Sequence, residues 1–239
     1  MTILVTGSSG FVGEVLIQKL KNLEFDVIGL DWKPSKYTKI IQDVSKPFEV
    51  DEKIDTIIHL VAKTEQDRSS KQEYFSTNVK GTENVLQIAK KHNSYFIYIS
   101  TAAIYGSPSS PITEQTLISP NGYYGLTKWK GEQICEKYRK DGINIAIIRP
   151  TSILGKKRLG IYAIIFKNLI KDTPIPILGN GENKISLINI NDLVDFIIFL
   201  NEKKIPNITV NFGGKIPGTL NFVLQELKLH INSKSKIQH

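Results

Sequence analysis

The chain has 239 residues, of which 41% are hydrophobic and 23% charged, an ordinary balance for a globular protein with a buried core. Its formal net charge is +8, but the lysines are scattered and no arginine-rich run with interleaved aromatic residues occurs, so we expect no nucleic-acid partner. No apolar run reaches the ~18–20 residues that a membrane span needs. The single cysteine, Cys135, excludes an internal disulfide and is typical of a cytoplasmic protein. The residues after Met1 predict a strand rather than a secretion signal.

Short β-branched runs alternate with longer amphipathic stretches over the first part of the chain. The predicted strands are residues 3–6, 26–30, 56–60, 96–100 and 145–149, each with the continuous apolar character of a strand buried on both faces. The predicted helices between them are residues 10–21, 76–92 and 123–140. This alternation predicts an α/β fold, a Rossmann-type, doubly wound parallel sheet.

The pattern loosens after Pro150. We predict a helix over 160–171, a turn at 179–181, a helix over 191–201, a strand over 207–212 and a helix over 220–231. The polar residues 232–236 are expected to fray. Residues 1–150 are therefore interpreted as a dinucleotide-binding core, and residues 151–239 as a small, reduced substrate-binding lobe interleaved with the last core elements.

A glycine-rich loop joins the first predicted strand to the first predicted helix. Gly7 would permit a tight turn, Gly10 a close approach of the backbone to a pyrophosphate, and Gly13 close helix–strand packing. A glycine turn without a ligand is the alternative, but the strand before it and the helix after it favour an anion at the helix N-terminus. The predicted cofactor contacts in this loop are Gly7, Ser9, Gly10, Phe11, Val12 and Gly13.

Asp31 ends the second predicted strand. A carboxylate at this position accepts hydrogen bonds from the ribose hydroxyls of the adenosine and repels a 2′-phosphate, which favours NAD over NADP. Lys33 and Lys36 follow closely, so NADP stays possible. The alternative is an aspartate that only initiates the turn before Pro34.

Tyr124 and Lys128 are spaced so that they lie one above the other on a helix face. An isolated tyrosine has a pKa near ~10, and a neighbouring ammonium favours the phenolate. Tyr124 would then take a proton from a substrate hydroxyl while a hydride leaves the same carbon. The spacing also occurs by chance in many helices, and Tyr123 stands next door, but only Tyr124 has a lysine one turn later.

The glycine loop, Asp31, Tyr124 and Lys128 together resemble the extended short-chain dehydrogenase/reductase superfamily, and most closely its NAD-dependent epimerase/dehydratase enzymes that act on nucleotide sugars. Further segments resemble the family in the same order: 43–44, 59–62, 78–82, 99–106, 149–150 and 211–214. The resemblance implies an NAD cofactor, a nucleotide-sugar substrate, and a homodimer formed through helices 76–92 and 123–140.

The same resemblance implies roles for individual residues. Thr101 would orient the substrate and share a proton network with Tyr124, and Lys128 would also hold the nicotinamide ribose. The remaining implied cofactor contacts are Asp43, Val44, Leu60, Val61, Ala62, Asn78, Ser100, Tyr124, Lys128 and Pro150. For His59 we predict a buried, hydrogen-bonded residue rather than an acid or a metal ligand, and no metal site is predicted. Cys135 is expected to pack in the core.

Two alanines after Thr101 reduce the number of reaction types that this chain is expected to catalyse. Related sugar 4,6-dehydratases carry an Asp-Glu pair where this chain has Ala102 and Ala103, so no acid–base pair for water elimination is present. The relatives that epimerise next to a ketone use a nearby cysteine, which is also absent there. Hydride transfer at one carbinol remains, by a 4-epimerase or, as the alternative, an NAD(P)H-dependent ketoreductase or dehydrogenase. A non-catalytic dinucleotide-binding sensor or partner protein is a third possibility, which the intact Thr101, Tyr124 and Lys128 disfavour.

The substrate side departs from the family pattern. Ser152 stands where many members have an asparagine near the nucleotide phosphates, and Lys184 and Ile185 occupy the region where an arginine usually precedes Asp192. The chain also ends soon after Gly214. We therefore expect a smaller substrate, a reduced lobe or an impaired activity.

Overall fold

The computed structural model describes residues 1–108, 111–156, 162–177, 179–214 and 218–238. Its strands are β1 (Thr2–Thr6), β2 (Asp26–Asp31), β3 (Ile40–Ile41), β4 (Thr56–His59), β5 (Tyr95–Ile99), β6 (Ile145–Pro150), β7 (Ser152–Leu154), β8 (Ile175–Pro176), β9 (Lys184–Ile185), β10 (Leu187–Asn189), β11 (Thr209–Phe212), β12 (Gly218–Thr219) and β13 (Ile237–Gln238). Its helices are α1 (Phe11–Asn22), α2 (Lys71–Tyr74), α3 (Gly81–His92), α4 (Tyr123–Lys140), α5 (Tyr162–Ile170), α6 (Ile190–Lys203) and α7 (Leu220–His230). None of these helices combines the length and apolar composition needed to cross a bilayer.

A seven-stranded parallel sheet dominates the fold, in the order β3-β2-β1-β4-β5-β6-β11. Its inner strands are apolar on both faces because helices cover both sides, and Ile57, Phe96 and Ile147 are completely buried. The chain leaves β1 toward β2 and later returns to β4 on the other side. This reversal opens a crevice at the carboxyl ends of β1 and β4, where open α/β sheets bind their ligands. The predicted Rossmann-type fold is confirmed.

The helices of the core follow the predicted pattern with one exception. Helix α4 has the predicted bounds, whereas the predicted helix 76–92 is preceded by α2 and by a wider, π-type turn over Phe75–Lys80. Ser70 and Glu73 form a capping box at the start of α2, with the Ser70 hydroxyl accepting from the Glu73 amide at 3.3 Å. The helical segment therefore begins earlier than the hydrophobic periodicity alone indicates.

The chain divides into two compact units. One comprises Met1–Thr151 and Ile190–Phe212, and the other comprises Ser152–Asn189 and Gly213–His239. The second unit has its own small core, formed by Ile165, Leu169, Ile175, Ile177 and Leu224. Of the helix predicted over 160–171, the structure shows α5, while residues 160 and 161 lie outside the described residues.

The polar C-terminal segment is ordered, so the expectation that residues 232–236 fray is wrong. Ser235 is fully buried, and its hydroxyl donates to the carbonyl of Asn168 at 3.0 Å. The Ser233 hydroxyl donates to the carbonyl of Leu169 at 2.7 Å, and β13 then pairs with β8. These hydroxyls donate to carbonyl groups at the end of α5. The polar composition of the segment does not predict these hydrogen bonds.

Candidate active site

The glycine loop closes tightly at the start of the crevice. Gly7 has φ +80°, and a Cβ there would come within 3.1 Å of the backbone of Leu60 and Val61 at the exit of β4. A Cβ on Gly13 would overlap the carbonyl oxygen of Gly7. Gly10 is the N-cap residue of α1. It has no side chain that could accept a hydrogen bond from the first-turn amides of Phe11, Val12 and Gly13. The loop thus has the shape that lets an anion approach a helix N-terminus.

Asp31 lies at the carboxyl end of β2, next to this loop, and is 5% exposed. Its carboxylate accepts from the amide of Ser9 at 3.0 Å and from the amide of Lys33 at 3.2 Å. The second bond is an Asx-type turn, so the turn-forming role and the cofactor role are compatible. A carboxylate has about four lone-pair sites, which leaves acceptor capacity for ribose hydroxyls.

Asp43 and Val44 follow β3, and helix α3 holds them in place. Gly81 gives the room for this contact, since a Cβ there would lie 2.8 Å from the Val44 side chain. The amide of Asn84 donates to the Val44 carbonyl at 2.8 Å and is 3% exposed. Asn84 is a positioning residue that our sequence reasoning missed. The signal that the sequence offered was an asparagine on the apolar face of a predicted helix.

His59 ends β4 and is completely buried, as predicted. The Thr82 hydroxyl gives its one hydrogen to the carbonyl of Asn78 at 2.7 Å, so its 3.1 Å contact with His59 Nε2 requires a hydrogen on Nε2. His59 Nδ1 then accepts from the Thr6 hydroxyl at 2.7 Å. Burial, and then the charge of Lys128, hold the pKa of His59 well below its ordinary value. His59 is therefore a neutral structural link from β1 to helix α3.

Asn78 lies in the π-type turn and connects two predicted site segments. Its side chain accepts from the amide of Lys63 at 2.7 Å and donates to the Lys63 carbonyl at 3.0 Å, just beyond Leu60–Ala62. It also donates to the hydroxyl of Thr127 at 2.9 Å, on α4 between Tyr124 and Lys128. This fully buried amide joins the segment beneath the cofactor site to the helix that carries the tyrosine and lysine.

Thr101 follows β5 and caps a short 3₁₀ helix, Ala102–Tyr105, through a 3.1 Å bond from the Ala103 amide to its hydroxyl oxygen. Helix α4 packs directly on this turn at Gly125, where a Cβ would lie 2.6 Å from the Ala103 carbonyl oxygen. The residue beside Tyr124 is therefore glycine for a steric reason. The structure brings the Thr101 turn and the Tyr124–Lys128 helix together, as the resemblance implied.

Lys128 is buried to 1% exposure, and its ammonium lies 4.0 Å from the ring centroid of Tyr98 on β5. Burial lowers the pKa of Lys128 to about 7, while Cys135 and Glu132 act in the opposite direction. Tyr98 was not predicted from the sequence as part of the site. Cys135 is completely buried, as expected for a packing residue, and burial raises the pKa of its thiol.

The residues present fit a dinucleotide. Ser100, at the end of β5, is 2% exposed, and its hydroxyl oxygen has no hydrogen-bond partner among the described residues. An orphaned buried hydroxyl beside Thr101 is consistent with a site that a bound group completes. Pro150 ends β6 on the same edge of the sheet. In the described part of the chain, no cluster of three or more His, Cys, Asp or Glu side chains is arranged to hold a metal ion.

The sheet, the glycine loop after β1, the acidic end of β2 and the Thr101, Tyr124 and Lys128 set define the short-chain dehydrogenase/reductase type of dinucleotide-binding enzyme. Residues 3–213 match the model of the NAD dependent epimerase/dehydratase family, and the chain belongs to that family. The predictions of this family of enzymes and of its NAD cofactor are confirmed.

Among relatives of known sequence, "Uncharacterized protein y4nG" of Sinorhizobium fredii is 32% identical over 248 residues, covering 99% of this chain and 62% of the relative. This chain thus spans less than two thirds of that protein. The N-acetyl-alpha-D-glucosaminyl-diphospho-ditrans,octacis-undecaprenol 4-epimerase of Escherichia coli O157:H7 is 29% identical over 252 residues, with 99% of this chain and 74% of the relative covered.

Solved structures of 4-epimerases are also similar to this chain. The UDP-glucuronic acid 4-epimerase of Bacillus cereus in complex with NAD superposes with a TM-score of 0.82 at 27% identity, covering 100% of this chain and 87% of that one. The UDP-glucose 4-epimerase of Thermotoga maritima superposes with a TM-score of 0.84 at 23% identity, covering 100% and 85%. The second likeness shows the fold alone.

Proposed function

We propose that this protein is an NAD-dependent nucleotide-sugar 4-epimerase, which oxidises one sugar carbinol and reduces the same carbon from its other face. The observation that carries the proposal is the composition of the site around Thr101. It holds the groups for proton and hydride transfer, Thr101, Tyr124 and Lys128, and has alanine at the two positions that would serve elimination.

When bound, NAD supplies the hydride acceptor and returns the hydride. Tyr124 takes the proton from the 4-hydroxyl during oxidation and gives it back during reduction. The buried charge of Lys128, one helical turn away, favours the phenolate of Tyr124. Thr101 accepts one bond from the Ala103 amide, which leaves its hydroxyl hydrogen available for the substrate oxygen.

Water elimination is excluded from the proposal by Ala102 and Ala103. Both lie in the turn that Thr101 caps, and neither carries a group that could exchange a proton with the substrate. Relatives that are dehydratases do occur, among them a dTDP-glucose 4,6-dehydratase of Streptomyces niveus at 26% identity over 222 residues. Family membership alone therefore does not distinguish epimerisation from dehydration. The proposal relies on the residues after Thr101 for this distinction.

The deciding experiment follows one isotope. Purified protein is incubated with UDP-glucuronic acid, and separately with UDP-glucose, deuterated at carbon 4, and the products are analysed by NMR and mass spectrometry. We expect the 4-epimer with its deuterium retained and no net reduction of added NAD. Transfer of the deuterium to the cofactor, with stoichiometric reduction of added NAD(P)⁺ and formation of the 4-keto sugar, would instead establish a dehydrogenase or ketoreductase. The Tyr124→Phe variant should bind NAD normally and lose turnover, whereas a non-catalytic binding protein would be unaffected by this change.

We propose that the second unit binds the nucleotide part of the substrate. Support comes from the sequence order, in which Ser152 and Lys184 occupy the positions where family members have nucleotide-phosphate contacts. Lys184 lies in β9, which pairs with β12 within that unit. Lys184→Ala should raise the KM for the nucleotide sugar severalfold and leave NAD binding unchanged.

We also propose a cytoplasmic homodimer formed through the predicted helix pair, α3 and α4. The reduced, buried Cys135 supports the compartment. The exposed positions on these helices are largely polar and include Gln87, Lys90, Gln133 and Lys137. Sedimentation equilibrium at low and high ionic strength would test for the dimer and for the contribution of these charges to it.

A further inference from the structure

A buried charged network lies below the Thr101 turn, outside the groups assigned to the reaction. Glu132 on α4 is 1% exposed and Arg149 on β6 is 6% exposed. Arg149 Nε donates to both carboxylate oxygens of Glu132 at 3.0 and 3.2 Å, and its Nη2 donates to Oε2 at 2.7 Å. This forked, buried ion pair fixes the helix to the strand with little freedom.

The same guanidinium reaches the Thr101 turn. Its Nη1 donates to the hydroxyl of Tyr105 at 2.6 Å, and that hydroxyl donates to Asn211 Oδ1 on β11 at 2.8 Å. Tyr105 is the last residue of the 3₁₀ helix that Thr101 caps, and it is 1% exposed. The network therefore connects helix α4, which carries Tyr124 and Lys128, to the 3₁₀ turn that Thr101 caps.

Helical spacing gives Glu132 its place in this arrangement. Tyr124, Lys128 and Glu132 are separated by four residues each, so they lie on one face of α4. Glu132 is thus tied to Arg149 directly beneath Lys128. The other titratable groups around Lys128 are Tyr98 and His59 from the sheet and Tyr124 and Cys135 from α4 itself.

We propose that Glu132, Arg149 and Tyr105 are positioning residues that set the Thr101 turn against the Tyr124–Lys128 helix. This inference rests on the proposed function for its kinetic consequence. A misplacement of about 1 Å between reacting groups costs on the order of 10²-fold in rate. Loss of the network should therefore lower kcat and leave substrate and NAD binding nearly intact.

Tyr105→Phe tests the proposal because it removes one hydroxyl and keeps the ring. We expect kcat to fall about 10- to 100-fold with KM and the Kd for NAD changed by less than about threefold. Tyr95→Phe is the matched control. Tyr95 lies at the other end of β5, is 6% exposed and loses one 2.8 Å bond to the Ile205 carbonyl, so its kcat should not change. Equal effects of the two changes would show a general loss of stability and overturn the proposal.

A second variant removes the ion pair without leaving a lone buried charge. Glu132→Leu with Arg149→Met replaces both charges by apolar side chains, a change that proteins often tolerate in stability. The folded double variant should show the same selective fall in kcat. A folded double variant with normal kcat would contradict the proposal.

One measurement is independent of the substrate. The Ala103 amide, which donates to Thr101, should exchange its hydrogen at least about tenfold faster in NAD-loaded Tyr105→Phe than in the wild type, while the amides of β1 stay unchanged. If the wild type turns over no nucleotide sugar, the proposed function fails but this exchange still reports on positioning. Unchanged exchange at Ala103 would overturn the positioning role by itself.

Discussion

The ammonium of Lys128 lies 4.0 Å from the centre of the Tyr98 ring, with Lys128 1% exposed and Tyr98 completely buried. The cation is thus held against an aromatic face rather than in water. This contact offsets part of the cost of burying the charge. Burial nevertheless lowers the pKa of Lys128 to about 7, so the site keeps a cation that is easily lost near neutral pH. A buried charge that is costly to the fold is expected where function requires it.

Lys128→Met should therefore stabilise the NAD-free protein at low pH while abolishing turnover. Below pH 7 the folded wild type holds a buried ammonium, and between pH 7 and the ordinary lysine value of 10.5 only the unfolded chain binds that proton. The stability of the wild type thus rises with pH across this window, and the methionine variant lacks the penalty. We expect its Tm to exceed that of the wild type by about 2–4 °C at pH 6, with a smaller difference at pH 9. Thermal unfolding at both pH values would measure this, and a variant less stable at pH 6 would contradict it.

Gly125→Ala should separate α4 from the Thr101 turn. Its Cβ would lie 2.6 Å from the Ala103 carbonyl oxygen, so backbone has to move. We expect a loss of at least about tenfold in kcat with NAD affinity retained. Gly122→Ala is the control, because no atom lies within 4 Å of its added Cβ and its φ is −150°. Steady-state kinetics and NAD titration of both variants decide the matter; equal kcat values would show that the contact does not set the geometry.

Ser100→Ala tests whether the orphaned hydroxyl serves the cofactor. Removing a buried hydroxyl that has no partner among the described residues is neutral or stabilising in the NAD-free protein. The affinity for NAD should fall by about tenfold, the equivalent of one hydrogen bond. Ser94→Ala, at the opposite end of β5, loses a 2.7 Å bond to the Ile54 carbonyl and should show the reverse, lower stability with normal NAD affinity. Calorimetric titration and urea unfolding would distinguish the two patterns.

The sequence predicted the elements whose signal is local. The bounds of α4 agree because its apolar positions repeat at helical spacing over many turns, and β1, β2, β4, β5 and β6 are recognisable as continuous apolar runs between glycine and polar turns. The common location of the glycine loop and the strand ends was predictable because chain order and sheet topology place the carboxyl ends of parallel strands together.

Contacts between distant segments were not predictable in this way. Strand β3 has two residues, too few for any period, and it depends on pairing with β2. The partner of Glu132 is Arg149, and that of Lys128 is Tyr98, because β5 and β6 lie beneath α4. Each choice depends on the order of strands and the side chains on one face, which a single sequence does not encode locally. The burial of Ser235 has the same origin.

Asp31→Asn should change the choice between NAD and NADP. The Ser9 amide donates to Oδ2 and the Lys33 amide to Oδ1, so the one amide oxygen of asparagine keeps one of these two bonds, and the negative charge that repels a 2′-phosphate is lost. The nearby ammonium of Lys33 lies over the exposed Trp32 ring at 4.6 Å, where it adds attraction for a phosphate. We expect the Kd for NAD to rise and that for NADP to fall, so that their ratio shifts by at least about tenfold.

Asp26→Asn is the control for this change. Asp26 lies at the other end of β2 and accepts from the exposed Thr2 hydroxyl at 2.9 Å, so its charge is remote from the ribose site. Titrations with both dinucleotides at constant ionic strength should leave the ratio unchanged in Asp26→Asn and shifted in Asp31→Asn. An equal ratio in the two variants would show that Asp31 serves the turn alone and that the preference for NAD arises elsewhere in the site.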